Sequence, residues 1–272
     1  MRIALNGAKG NIGSRLVKDY GFIPMEMDIR QPKQIADAIT ITKPDIIIHL
    51  AGKSNANWCE TQKNQEAAHQ VNFRGSNLVF EQADQSHIPV VFVSSDHIFS
   101  GKGFGSYKET DFPTENSLPV NQYGKSKLAA EGLSRIYPNV HIVRTSTNFW
   151  VDSPSISKIF GDIRSGKDVH VPVYMWRSFL HIDHFCQLLS CYCLNINDNP
   201  PQILNLSGSK VVSWYRFIKD FAQARGLNTS KVHPKWFEDS HDYAPRAYRA
   251  GLNVNLSKKL GYPQFSYLDG IS

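Results

Sequence analysis

The sequence predicts an α/β fold, a Rossmann-like doubly wound parallel sheet followed by a smaller C-terminal unit, and three observations carry that expectation. Short apolar runs recur at Ile3 to Asn6, Ile46 to Ala51, Val90 to Val93, Val140 to Val143 and Ile203 to Leu206, each separated from the next by helical or loop sequence. Strands that alternate with helices build parallel sheets covered on both faces. A Gly-rich turn, Gly7-Ala8-Lys9-Gly10-Asn11-Ile12-Gly13, stands between the first run and a helical pattern. Beyond Trp150 the alternation weakens, which sets residues 1–150 apart from residues 151–272.

The elements follow in order. Ile12, Leu16 and Val17 repeat at helical spacing across Asn11 to Tyr20. Pro32 suits a first helical turn, and Ile35, Ala38 and Ile39 give the helix to Thr42 one apolar face. Phe99 to Asn121 is rich in Gly, Ser, Pro and Thr, too polar for a core element and long enough for a functional loop. Phe179 to Leu194 reads as a helix, and Ile203 to Leu206 as a strand returning to the main sheet, so segment 179–207 is expected to rejoin the first domain.

Composition narrows the class. With 272 residues, 41% hydrophobic and 20% charged, the chain reads as an ordered globular protein of one large core and a satellite. No apolar run approaches the roughly 18 residues of a membrane span. The N-terminus enters an apolar strand at once and leaves no room for a signal peptide, so a cytoplasmic protein is expected. Cys59, Cys186, Cys191 and Cys193 form no CxxC pair and have no His partner at zinc-ligand spacing. Free thiols and no metal are the expectation. The surplus of +6 suits an anionic ligand and is equally commonplace on a solvated surface. Scattered basic residues do not form the stripe that nucleic acid requires.

Three motifs carry chemistry. Glycines at positions 7, 10 and 13 allow a tight turn and let backbone amides approach a pyrophosphate at a helix N-terminus. Tyr123 and Lys127, four apart on an expected helix, share one face. The Lys127 ammonium is therefore expected beside the Tyr123 hydroxyl, where it would lower a phenol pKa of about 10 toward working range. Val91 to Asp96 is an apolar strand ending in hydroxyls, and ligands gather beyond the carboxyl ends of such strands. Each motif alone has a plainer reading, as turn glycines, a chance YxxxK or turn serines. Their order and spacing together are far more specific.

With these residues in hand the chain resembles the extended short-chain dehydrogenases/reductases, and within them the branch of dTDP-4-dehydrorhamnose reductases. The resemblance runs through GAKGNIG, MDIRQPKQI, PDIIIHLAGK, SSDHIFSGKG, the stretch YKETDFPTENSLPVNQYGKSKLAAE, VRTS and SGSKVVSWYRF. It implies Tyr123 as proton donor, Lys127 as its electrostatic partner and ribose ligand, and Ser95 as the hydroxyl that meets the substrate oxygen. It implies a cofactor site of Gly7, Lys9, Gly10, Asn11, Ile12, Gly13, Asp28, Ile29, Arg30, Ala51, Gly52 and Lys53, together with Tyr123 and Lys127. Asp96, His97, Arg246 and Arg249, with Lys235, are the candidates for substrate.

The chain departs from that pattern in places. Ser95 stands where Thr is usual and His97 where Tyr is; Ala247 and Arg249-Ala250 replace the family's Pro and Asn-Ser near Arg246. The span from Gly13 to Asp28 is short, and no acidic residue matches the ribose reader at the end of the second strand. Lys9 and Arg30 point to NADP, with NAD as the alternative; both also read as solvated surface charge. The expected activity is NAD(P)H-dependent reduction of a 4-keto nucleotide-diphosphate sugar, with residues 151–272 mainly binding substrate. Arg177 to Asp183 is similar to a stretch of the family's epimerases, which keeps epimerisation open. A regulatory subunit, like the β subunit of methionine adenosyltransferase that resembles the same reductases, is the non-enzyme alternative. A homodimer is left open.

Overall fold

The structure, a computed structural model, describes residues 1–103, 105–198, 200–236 and 244–271. Its centre is a six-stranded sheet of β1 (Ile3–Asn6), β2 (Ile23–Pro24), β3 (Ile46–His49), β4 (Val90–Ser95), β5 (Val140–Thr145) and, later in the chain, β10 (Ile203–Asn205). Their order is β2-β1-β3-β4-β5-β10, and every pairing is parallel. These strands read as unbroken apolar runs because both faces are covered. Ile3, Leu5, Ile46, Ile48, Val91 and Val93 face one layer; Ala4, Ile47, Val90, Phe92 and Ile142 face the other.

The first layer is α1 (Asn11–Tyr20) with α8 (Ile182–Leu194), packed through Leu16, Phe185, Leu188 and Leu189. The second is α2 (Pro32–Thr42), α5 (Ser76–Gln85) and α6 (Gln122–Gly132), through Ile35, Ile39, Val79, Phe80 and Ala130. Between β3 and α5 lie α3 (Ala56–Glu60), α4 (Gln62–His69) and a π-helical turn over Gln70–Gly75. The chain leaves β1 toward β2 on one side and reaches β3 on the other. A crevice therefore opens beyond the carboxyl ends of β1 and β3, the switch point where such sheets bind ligands.

A second apolar cluster is built from the rest of the chain. It joins β6 (Asn148–Phe149), α7 (Pro154–Arg164), β7 (Val169–Pro172) and α9 (Trp214–Ala224) with β12 (Val232–Lys235), through Phe149, Phe160, Phe217 and Phe221. β7 and β12 pair in parallel, β8 (Trp176–Arg177) pairs with β11 (Val212–Ser213), and β9 (Leu180–His181) pairs with β6. The helix expected from Phe179 thus begins only at Ile182. Leu180 and His181 are spent on pairing with Asn148 and Phe149, and the His181 ring caps the new helix by accepting the Asp183 N–H at 3.4 Å. The short α10 (Asn255–Lys259) follows near the C-terminus.

The polar stretch Phe99 to Asn121 is pinned at one point. Arg144 and Glu131 are buried and bonded through Nη2 to Oε2 at 2.8 Å and Nε to Oε1 at 3.1 Å. Arg144 Nη1 then donates to the main-chain carbonyls of Glu109 and Asp111, both at 3.2 Å. The loop is thereby fixed to β5 and α6. No helix among the described residues is long and apolar enough to cross a membrane.

Candidate active site

The turn from β1 to α1 folds as its glycines require. Gly7 has φ +73, in the left-handed region, and a Cβ there would stand 2.8 Å from the Ala51 nitrogen. The Gly10 N–H closes the turn on the Gly7 carbonyl at 3.0 Å, leaving the first amides of the ten-residue α1 facing the crevice. The neighbouring loop is tied down from β1, where Asn6 Oδ1 accepts the Leu50 and Ala51 N–H groups at 3.0 and 2.9 Å. Asn72 of the π-helical turn holds the loop two residues further on, accepting the Lys53 N–H at 2.7 Å and donating to the Lys53 carbonyl at 3.0 Å.

One cavity of about 390 Å³ follows the crevice. Gly7, Gly10, Asn11, Ile12, Gly13, Gly52, Ser95, Asp96, His97, Tyr123 and Lys127 all line it. Lys9, Asp28, Ile29, Arg30, Ala51, Lys53, Arg246 and Arg249 do not. Lys9 is exposed and pairs with Glu26 at 3.3 Å. Arg30 is clamped on Asp28 at 2.6 Å, which pulls the Asp28 carboxyl down to about 2, and it lines a separate groove with Phe73 and Arg74. Ile29 is buried against Gly75. Arg246 donates to Asn57 Oδ1 at 2.6 Å and to the Ala244 carbonyl at 2.7 Å, while Arg249 is exposed and bonds through its amide to the Gly101 carbonyl at 3.2 Å. Lys235 is half-buried in β12.

Tyr123 and Lys127 lie on α6, as their spacing requires. Asn121 caps this helix, its Oδ1 accepting the Gly124 N–H at 2.8 Å, and Gly124 has no room for a Cβ because the His97 carbonyl presses against it. That contact brings the Tyr123 ring edge-on to His97, with centroids 5.4 Å apart. The expected pairing of ammonium with phenol is not the one formed. Lys127 Nζ donates to the Val93 carbonyl at 2.8 Å and sits 4.4 Å from the centre of the Phe92 ring. The Tyr123 pKa is consequently raised, not lowered: burial dominates, the Asp96 charge adds to it, and only a hydrogen bond with Ser95 opposes them. Burial also depresses Lys127, to about 8, against the pull of Glu131.

Asp96 is engaged on every side. Its carboxylate accepts Ser95 Oγ at 3.2 Å and Ser146 Oγ at 2.7 Å, and it pairs with the buried Arg177 at 3.3 Å. Ser95 in turn accepts the His97 N–H at 3.3 Å. Asp96 thus holds the floor of the site together, although it also lines the cavity.

Ser94 lines the same cavity, as the hydroxyl end of β4 implies, whereas Thr145, Ser146, Thr147 and Asn148, which also line it, escape a reading of motifs. The signal was present, because β5 ends in hydroxyls just as β4 does. Ser94 Oγ is buried and has no hydrogen-bond partner in the protein. Glu26 lies two residues beyond β2, about where a dinucleotide fold places its ribose-reading acid. With β2 only two residues long, its end was not legible. Among the described residues no group of three or more His, Cys, Asp or Glu is placed to hold a metal.

Comparison with known proteins agrees with this architecture. The spore coat polysaccharide biosynthesis protein SpsK of Bacillus subtilis is 25% identical over 238 residues, 84% of this chain and 81% of that protein. A dTDP-4-dehydrorhamnose reductase of Aggregatibacter actinomycetemcomitans is 32% identical over 158 residues, which are 54% of this chain and 52% of the reductase. The crystal structure of dTDP-4-dehydrorhamnose reductase from Bacillus anthracis in complex with NADP superposes with a TM-score of 0.87 at 22% identity, covering 99% of this chain and 96% of that one. The family described as the RmlD substrate binding domain matches residues 1–269, and the chain belongs to that family.

Proposed function

We propose that this protein reduces the 4-keto group of a nucleotide-diphosphate sugar with NADPH. The observation that carries the reading is the convergence of the β1–α1 glycine turn, the hydroxyls of β4 and the Tyr123–Lys127 pair on a single cavity. The residues suit a dinucleotide. Gly7 lets the turn pack directly on the Ala51 backbone, where any Cβ would clash, the amides of α1 form an anion site, and Ser94 offers an unpaired hydroxyl. Glu26 and Lys9 offer an acceptor and a donor near the ribose. The smaller unit, residues 151–272, is assigned mainly to substrate, with Arg246 and Arg249, which lie outside the cavity lining, as candidates for the diphosphate. The activity is assigned to the cytoplasm.

In this reading bound NADPH would supply hydride to the carbonyl carbon. Tyr123 acts on the oxygen. Its raised pKa keeps the phenol protonated, so it serves as the proton donor that a reduction needs. Ser95 is placed by its bonds with Asp96 and the His97 amide, and its single hydroxyl proton, donated to Asp96 Oδ1 in this structure, would turn to the substrate oxygen when that oxygen gains charge. The Lys127 ammonium, held on Val93, gives the floor of the site a fixed positive charge.

The test is NADPH oxidation with dTDP-4-keto-6-deoxy sugars, in the parent and in Tyr123→Phe. The variant should bind NADPH normally and turn over about 10² to 10⁴ times more slowly. Parental turnover in Tyr123→Phe would refute the assignment of the proton donor.

A further inference from the structure

His97 is one of the residues where this chain leaves its family's pattern, and its ring is held in one tautomer by Asn121. The Asn121 amide makes three bonds that fix its orientation. Oδ1 accepts the Gly124 N–H at 2.8 Å, and Nδ2 donates to the Pro245 carbonyl at 2.9 Å and to His97 Nδ1 at 3.1 Å. Turning the amide over would set an oxygen against a carbonyl oxygen and an NH₂ against an N–H, so the assignment is dictated by chemistry. His97 Nδ1 is therefore an acceptor, and the neutral ring carries its proton on Nε2.

The surroundings keep that ring neutral. Burial above all, with the charges of Arg177 of β8 and the nearby Arg246, lowers its pKa against the pull of Asp96, to about 4 overall, and the Asn121 N–H held on Nδ1 favours the neutral ring. From α6 the Tyr123 ring packs on it, its phenol protonated. His97 lines the cavity together with Ser95 and Tyr123.

We propose that His97 is a specificity-determining residue which offers its Nε2–H, and no acceptor, to an oxygen of the sugar ring, and that Asn121 is the positioning residue which fixes this polarity. A tyrosine in that place could donate or accept; this histidine only donates. It selects a sugar with an acceptor oxygen there, beside the group being reduced. The identity of the ligand rests on the sugar-nucleotide reductase reading, whereas the tautomer does not.

The experiment is long-range ¹H–¹⁵N spectroscopy of the full chain labelled at histidine, with the His97 signal identified by its loss in His97→Gln. Nε2 protonated and Nδ1 bare, unchanged from about pH 5 to 8, is the expected result; an Nδ1–H tautomer or titration near the ordinary value would overturn the proposal. Asn121→Asp keeps the helix cap but replaces the donor with a carboxylate. It should move the proton to Nδ1 and bring a titration into that range; an unchanged spectrum would remove Asn121 from the role.

Added dTDP-rhamnose should shift the Nε2 signal where dTDP alone does not, and a shift with both or with neither would overturn the sugar contact. His97→Phe should raise KM about three- to tenfold with little change in kcat, the loss of one hydrogen bond, and His97→Gln should restore most of it. If NADPH oxidation proceeds while His97 ignores the sugar, this contact fails and the reductase reading stands. If no oxidation occurs with any such sugar, the reductase reading itself fails.

Discussion

Replacing Lys127 with Met should change how stability depends on pH, in a direction the structure fixes. The buried Lys127 titrates at about 8 in the folded protein, whereas an unfolded lysine titrates at about 10.4. Below the lower value both states carry the proton, and the folded state bears the whole cost of burying a charge. Between the two values the unfolded chain binds a proton that the folded chain does not, so the parent gains stability as pH rises. At about 1.36 kcal/mol per pH unit the gain is about 3 kcal/mol. The variant lacks it.

Two losses act in Met at neutral pH. The Val93 carbonyl loses its 2.8 Å donor, worth about 1–3 kcal/mol for a buried acceptor, and the cation over Phe92 disappears. They offset the relief of removing the charge, so the two proteins should be of similar stability at neutral pH. Near the upper end of the range the parent should lead by about 3 kcal/mol. Urea unfolding at a series of pH values, followed by tryptophan fluorescence, measures this, and groups shared by both proteins cancel in the difference. A difference that stays constant within about 1 kcal/mol across the range would refute the argument. The same variant should lose cofactor affinity and hydride transfer together.

Glu131→Gln breaks the buried pair with Arg144 and should cost about 3 kcal/mol in a urea melt, since one charge is left buried and unpaired. A cost below about 1 kcal/mol would show that the carbonyls of Glu109 and Asp111 satisfy Arg144 unaided. Arg246→Glu should raise KM for a dTDP sugar well beyond any change in NADPH affinity; an unchanged KM would make Arg246 only the partner of Asn57. Glu26→Gln frees Lys9, and calorimetry should show the NADPH-to-NADH preference rising about three- to fivefold, a small effect because both side chains are exposed. An equal or falling ratio would remove the pair from cofactor selection.

The sheet was legible because it is buried on both faces. Ile46-Ile47-Ile48 and Val90 to Val93 are apolar at every position, and the helices with one clear face, through Leu16 or through Ile35 and Ile39, announce themselves. What was not legible has physical causes. In α3 and α4 only Ala56, Cys59 and Ala68 are buried, too few to set a period, and the π-helical turn at Gln70–Gly75 then breaks the 3.6-residue repeat before α5. β7 and β12 are short and find each other only in three dimensions, pairing Val169 with Val232. The start of α8 was misplaced because Phe179 and Leu180 are as apolar as the helix that follows, whereas Leu180 and His181 pair with β6 instead.

In the site, the motifs told which side chains arrive and left open what each would do. Spacing put Tyr123 and Lys127 on one helical face, and they are there. It could not show that the Val93 carbonyl lies within reach of Nζ, because that depends on how α6 crosses β4. Nor could it show that Asp96 would be engaged by Ser95, Ser146 and Arg177, three residues from different parts of the chain. These partners decide how firmly Tyr123 holds its proton. A phenol beside a free ammonium is inclined to ionise and to act as a base, whereas a phenol shut in a buried site beside the Asp96 charge keeps its proton and acts as an acid. A tyrosine that gives up its proton in a reduction takes it back in the reverse oxidation, so its neighbours' hydrogen bonds set how firmly Tyr123 holds that proton and not which way a reaction runs.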